Sequence, residues 1–247
     1  MAEINPHFFV EWYRGNGRDF PWRSKNLVPF HQLITEMLLR KTRAESVAKL
    51  WPNLVSSYPD ARSVIRISKK RLARQLKVLG FGNQRADALH SASKWLIEHH
   101  EGKVPGNFEE LMRIPHIGAY SAGAILCFGF NKRFEIVDVN VQRLFSRYYG
   151  LEVKPDVRRN PILKEIARGC LPRTARRAEQ HNYGLLDFAA LICKSTSPRC
   201  LNCPLAPSCS WARANQWKTV RNQIKKLRFE DNEKSRTYRR FPLVSSE

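Results

Sequence analysis

The chain is poor in acid. Its 247 residues hold 22 Asp and Glu against 43 Lys and Arg, a formal net charge of +21. Such an excess calls for a polyanionic partner, nucleic acid before an anionic membrane. Long apolar runs are also missing, and none reaches the ~18 residues that cross a bilayer. The opening MAEINPHFFVEWYRGNGRDFPW lacks the basic stretch and apolar core of a secretory signal. There is no internal repeat and no low-complexity tract. No window of four to eight residues alternates cleanly enough to be a strand. Together these absences speak against an extracellular, disulfide-stapled or membrane-integral protein and for a cytoplasmic one. What is present suffices for a core. Hydrophobic residues make up 43% and aromatics 11%, and this length allows one large or two small domains of ~100–200 residues.

Helical periodicity fills most of the chain. Residues 28–42 place Phe30, Leu33, Ile34, Met37 and Leu38 on one face. Segments 43–57, 60–67, 68–79 and 83–100 read similarly, with Pro59 and Gly80-Phe81-Gly82 as breaks. Two short helices, 107–113 and 119–130, flank Ile114-Pro115-His116-Ile117-Gly118, and further helices fit 138–149, 159–170 and 174–193. The expectation is an all-α protein.

The charge is uneven. Residues 62–85 carry eight Lys or Arg and no acid, residues 154–177 eight against two, and the tail 211–247 ten against four. One such run is ordinarily a solvated helix face; several on one chain favour contact with phosphates.

Four of the six cysteines crowd into a C-x6-C-x2-C-x5-C loop: Cys193, Cys200, Cys203 and Cys209. Paired zinc knuckles need two close pairs, and only Cys200 and Cys203 make one. The wide spacing suits four thiolates spread around a [4Fe–4S] cluster, with zinc as the lesser alternative. Four cysteines leave no open iron, so the cluster is expected to tie the loop together rather than to react.

Two further motifs carry chemistry. The string from Leu111 to Ala124 has the form L-x-x-I-P-x-I-G-x-x-S-A. Pro115 ends one helix, and Gly118 is read as the residue that permits the tight turn into the next. Free backbone N–H groups at a helix start make a ready phosphate site. Eighteen residues past Tyr120, Asp138 opens another helix. An Asp there is a natural N-cap. The amide bonds and the helix dipole also favour its negative charge. A fixed anion suits cleavage of a glycosidic bond, whose transition state is oxocarbenium-like.

The hairpin, the aspartate and the cysteine loop, in this order, resemble the helix-hairpin-helix DNA glycosylases of the endonuclease III superfamily over roughly residues 18–210. Phe20-Pro21-Trp22-Arg23, the string from Leu33 to Thr42 and the string from Gly80 to Ala86 are similar to those of the mismatch-specific thymine/uracil DNA glycosylases. The resemblance implies two helical domains with double-stranded DNA in the cleft between them. A six-helix barrel with the hairpin would span 23–134. An iron–sulfur domain would combine 1–22 with 135–210, and 211–247 would be a basic tail.

Roles follow from the same resemblance. Asp138 matches the catalytic aspartate. Tyr120 stands where bifunctional members carry a lysine nucleophile and thymine-mismatch members a tyrosine. Glu36 stands where adenine glycosylases carry the acid that protonates the purine. Arg40 and Lys41 would probe the mismatch, and Asn83 and Gln84 belong to the loop that fills the duplex from the other side. Gly82 departs from the bulkier residues often found there. His116, Gly118 and Asn140 complete the expected DNA-contacting set, with His116 shaping the turn. The implied activity is that of a monomeric, monofunctional glycosylase that removes thymine or uracil opposite guanine. Adenine removal and non-catalytic DNA binding are the alternatives. The 38 residues after Cys209 are too few for the large C-terminal domain of the adenine enzymes.

Overall fold

The computed structural model describes residues 3–24, 27–152 and 161–215. Every regular element among them is helical. In chain order they are α1 (Phe8–Asn16), α2 (Pro29–Leu39), α3 (Ala44–Ser57), α4 (Ala61–Arg66), α5 (Lys69–Leu76), α6 (Gly82–His100), α7 (Phe108–Arg113), α8 (Ala119–Ala124), α9 (Val139–Tyr149), α10 (Pro161–Gly169) and α11 (Ala175–Leu191). No helix among the described residues is long and apolar enough to cross a membrane.

Local chemistry sets many of the boundaries. Pro29 opens α2 at its first turn, where a missing N–H costs nothing. Asp60 and Ser63 form a capping box on α4. Ser68, Asn107 and Asp138 cap α5, α7 and α9 through their side chains. The segment read as 119–130 is two pieces, because after Ala124 the helix widens into a π turn, Ile125–Gly129. The expected helix at 159–170 begins at Pro161 among the described residues. Of the tail 211–247, all beyond Asn215 lies outside them.

One helix was not foreseen. α1 carries Phe8, Phe9, Val10, Trp12 and Tyr13 beside a short exposed polar side of Glu11 and Arg14, too brief in nine residues for its period to stand out. It packs along α11. A Cβ on Gly184 would sit 2.1 Å from the carbonyl oxygen of Phe9, so only glycine admits this approach.

The buried side chains form two large groups. One runs from Phe20 to Leu126 and includes Leu33, Leu38, Leu72, Leu89 and Ile114. The other joins Ile4 and Phe9 to Val141, Phe145, Leu185 and Phe188. A smaller group links the π turn to α11, where Phe128 stacks on Tyr183 with ring centroids 4.1 Å apart. A buried ionic staple adds to the link. Asp187 of α11 is 0% exposed and accepts bidentately from Arg23, at 2.7 and 2.9 Å. It also takes the backbone N–H and Nε of Arg18, each at 2.8 Å. Burial alone would push the Asp187 carboxyl up; the two guanidiniums overcome this and hold it below its ordinary value.

Candidate active site

Glu36 lies on α2 and is buried, with only 4% of its surface exposed. Gln32, one turn earlier, donates Nε2–H to Glu36 Oε1 at 2.7 Å. Burial lifts the Glu36 carboxyl to about 8. The Gln32 bond opposes the rise and the negative charge of Asp138 adds to it. Glu36 is therefore largely a neutral acid at pH 7.

Asp138 is held differently. Its Oδ1 accepts from the backbone N–H of Asn140 at 2.9 Å and of Val141 at 2.8 Å. Its Oδ2 accepts from Asn140 Nδ2 at 2.6 Å. Three donors on two oxygens suit a carboxylate, which only accepts. The network continues outward. Arg143 Nη1 donates to Asn140 Oδ1 at 2.9 Å, its Nε to the Cys193 carbonyl at 2.9 Å, and its Nη2 to the Ala189 carbonyl at 2.8 Å.

Tyr120 sits on the first turn of α8. Burial first, then the nearby charges of Glu36 and Asp138, push its phenol well above the ordinary value. The hydroxyl thus keeps its proton and remains a hydrogen-bond donor. Glu36, Tyr120 and Asp138 line one cavity of about 340 Å³ together with Arg18, Arg23 and Tyr183. Asn140 also lines it. Arg23 lies over the Tyr183 ring at 4.4 Å.

The residues expected to meet DNA fall mostly on a second groove of about 440 Å³, lined by Arg40, Lys41, Gln84 and His116. Asn83 is exposed at the start of α6 but does not line this groove. Phe81 does, with 60% of its surface exposed at φ 55°, an unusual setting for an aromatic side chain. Arg85 organises both edges of the groove. Its guanidinium donates to the carbonyls of Met37, Leu38, Arg40 and Gly80, and to the Thr42 hydroxyl. The turn of the hairpin differs from expectation. Gly118 has φ −107°, open to any residue, and His116 carries the left-handed conformation at φ 66°. The Arg40 guanidinium donates to the His116 carbonyl at 3.0 Å and ties the hairpin to the end of α2.

Cys193, Cys200, Cys203 and Cys209 all line a third, small cavity beside Arg147 and Trp211, and none forms a disulfide. Among the described residues, no three His, Cys, Asp or Glu side chains come close enough to hold a single metal ion. Four thiols around one space are the donor set that a thiolate-held cluster would take. Arg147 Nη1 donates to the Lys194 carbonyl at 2.6 Å and Nη2 to that of Ser195 at 3.0 Å, fixing the loop to α9.

Arg18, Arg23, Gln32, Tyr183, Arg143, Arg85 and Phe81 had no assigned role in the sequence. Phe20-Pro21-Trp22-Arg23 signalled Arg23 only as part of a string. Asp187 gave no signal, since its partners lie more than 160 positions away.

Residues 34–168 match the HhH-GPD superfamily of base excision DNA repair proteins. The thymine/uracil-DNA glycosylase of Methanothermobacter thermautotrophicus is 33% identical over 202 residues, covering 82% of this chain and 90% of that protein. An adenine DNA glycosylase of Mycobacterium tuberculosis is 30% identical over 207 residues, 83% of this chain and 66% of that protein. The solved structure of a thermostable thymine-DNA glycosylase superposes with a TM-score of 0.79 at 31% identity, over 85% of this chain and 95% of that one. The chain belongs to the HhH-GPD superfamily of base excision DNA repair proteins. Its activity is that of a DNA glycosylase, hydrolysis of an N-glycosidic bond.

Proposed function

We propose that this glycosylase is monofunctional and releases thymine or uracil mispaired with guanine, leaving an abasic site. The observation that carries the reading is the meeting of Glu36, Tyr120 and Asp138, from three separate segments, on one cavity. Asp138 stabilises the cationic sugar and orients the attacking water. Glu36, neutral at pH 7, donates a proton or hydrogen bond to the departing base. Tyr120 supplies a hydroxyl where an amine would form a Schiff base, so the strand stays intact.

Double-stranded DNA is held by its phosphates at the hairpin and at the basic face around Arg40 and Lys41. A mispaired base is the cheapest to extrude. Phe81 takes the place assigned to Asn83 as the side chain that enters the duplex beside Gln84, with Arg40 and Lys41 facing the mismatch. The two large groups of buried side chains support a barrel domain, 23–134, and a second domain of 1–22 and 135–210, although Phe20 and Trp22 pack with the first group. The four cysteines would hold a [4Fe–4S] cluster, which would supply a rigid, charged anchor for the loop rather than a reacting centre. Purified protein is then expected to contain iron and acid-labile sulfide at about four each per chain.

A panel of labelled duplexes, with U, T or A opposite each base, tests the reading. Release of T and U opposite G, with strand breaks appearing only after alkali, is the expected result. Preferential release of adenine would replace the pyrimidine reading. A borohydride-trapped adduct with the wild-type chain would end the monofunctional one, whereas Tyr120→Lys is expected to form that adduct.

A further inference from the structure

A cavity of about 480 Å³ lies apart from the active site and shares no lining residue with it. His7, Arg133, Arg173 and Arg177 line it, and among the described residues no carboxylate does. The chain path gives its position. The six residues of α8 and the five of the π turn carry the backbone ~16 Å away from the hairpin turn. Arg133 follows at that far end, so the cavity sits at the opposite end of α8 from the hairpin.

The cations are arranged for a ligand. Arg133 donates Nε–H to the Pro172 carbonyl at 2.8 Å and Nη2–H to the Leu171 carbonyl at 3.0 Å, which fixes the guanidinium and leaves Nη1 available. Arg177 Nη1 is 3.4 Å from His7 Nδ1. None of the three arginines pairs with a carboxylate among the described residues. Like charges gathered without an acid repel one another until an anion joins them. Guanidiniums match phosphate oxygens in planar pairs. The basic run 154–177 contributes two of these arginines and, among its described residues, nothing to the active-site cavity.

We propose that this cavity is an oxyanion site for a ligand carrying two or more linked phosphates. Its size is that of a small-molecule site, ~300–1,000 Å³. The phosphates belong either to a free nucleotide or polyphosphate, or to successive residues of a second nucleic-acid segment.

The probe is inorganic pyrophosphate, titrated calorimetrically into the full chain at constant ionic strength. Saturable binding with a Kd of about 1 mM or tighter is expected, weakened by about tenfold or more in Arg173→Ala/Arg177→Ala. Arg173→Lys/Arg177→Lys is expected to retain most of the binding, which separates charge from folding, and Arg74→Ala, outside the lining, to retain all of it. Absence of saturable binding, or equal binding by the double alanine variant, overturns the proposal. Base release from a short duplex is read in parallel and stays at the wild-type level in the double alanine variant. Its loss would assign the cavity to the active site and overturn its independence. Displacement of pyrophosphate by a long duplex but not a short one identifies nucleic acid as the source. Displacement by a nucleoside diphosphate and by neither duplex identifies a free anion.

Discussion

Glu36 and Asp138 share one cavity and are held by opposite means. Glu36 sits in the middle of α2 with one neutral donor, Gln32, and is buried until its proton is retained to about 8. Asp138 stands at the start of α9, where two backbone amides and the Asn140 side chain aim three N–H groups at it. The difference lies in the placement, since both are carboxylates. A mid-helix residue has its own backbone already paired and offers no amide to a neighbour; a helix start has amides to spare. One cavity thereby gains a proton donor and a fixed anion from the same functional group.

The harshest way to break this comparison is Asp138→Asn. Base release is expected to fall by about 10³-fold or more, since an amide cannot stabilise the sugar cation. The helix cap and DNA affinity persist, because asparagine also caps. Single-turnover rates beside a gel-shift titration check this. A nearly normal rate would leave Asp138 as a cap alone.

Glu36→Gln removes the proton and keeps the shape, with an expected loss of about 10²-fold at neutral pH. The wild-type rate falls as pH rises through about 8, and the variant shows no such limb. Stability moves with the same proton. The folded state binds it more tightly than the unfolded chain does. Its contribution is therefore complete at low pH and is lost as pH climbs toward about 8. Melting curves of Glu36→Gln and wild type should coincide near pH ~4, and the variant should gain several degrees by pH ~9.

Arg143→Ala frees Asn140, and through it the Asp138 side of the pair, at a cost of about tenfold in rate. An unchanged rate in a folded variant would mean that the amide bonds alone orient Asp138. The smallest effect is expected from Gln32→Leu. The bond it removes holds the Glu36 carboxyl down, so the alkaline limb of the pH–rate profile should move above about 8. The rate at neutral pH should change by less than about threefold. A shift to lower pH would contradict the assigned environment.

Much of the fold was legible because its helices obey local rules. Proline openings and Asp, Ser and Asn caps mark α2, α4, α5, α7 and α9 in the sequence itself. α1 escaped because it is short, its polar side is only Glu11 and Arg14, and it is held by α11, a context that periodicity does not carry. The π turn escaped for the same reason. At the site, Asp138 was readable as a cap, and Tyr120 and Glu36 through resemblance. The burial that makes Glu36 an acid depends on packing, which no local pattern records. Asp187 reads as one more polar residue of a helix until Arg18 and Arg23, from the far end of the chain, close on it. The hairpin was read in part: Gly118, taken as the residue that permits the turn, is extended, whereas His116, expected to shape the turn, takes the left-handed conformation.

That closure between chain ends bears on how the molecule is made. The contact from Arg18 to Asp187 spans 169 positions, and α1 has α11 as its main packing partner. A ribosome delivers the N-terminus first, so α1, with its exposed Phe8, Phe9 and Trp12, waits until nearly the whole described chain has emerged. The buried group from Phe20 to Leu126 is complete well before then and can condense on its own. The return of α1 to α11 is therefore expected to be the slow step of folding, with aggregation favoured in the interval before it.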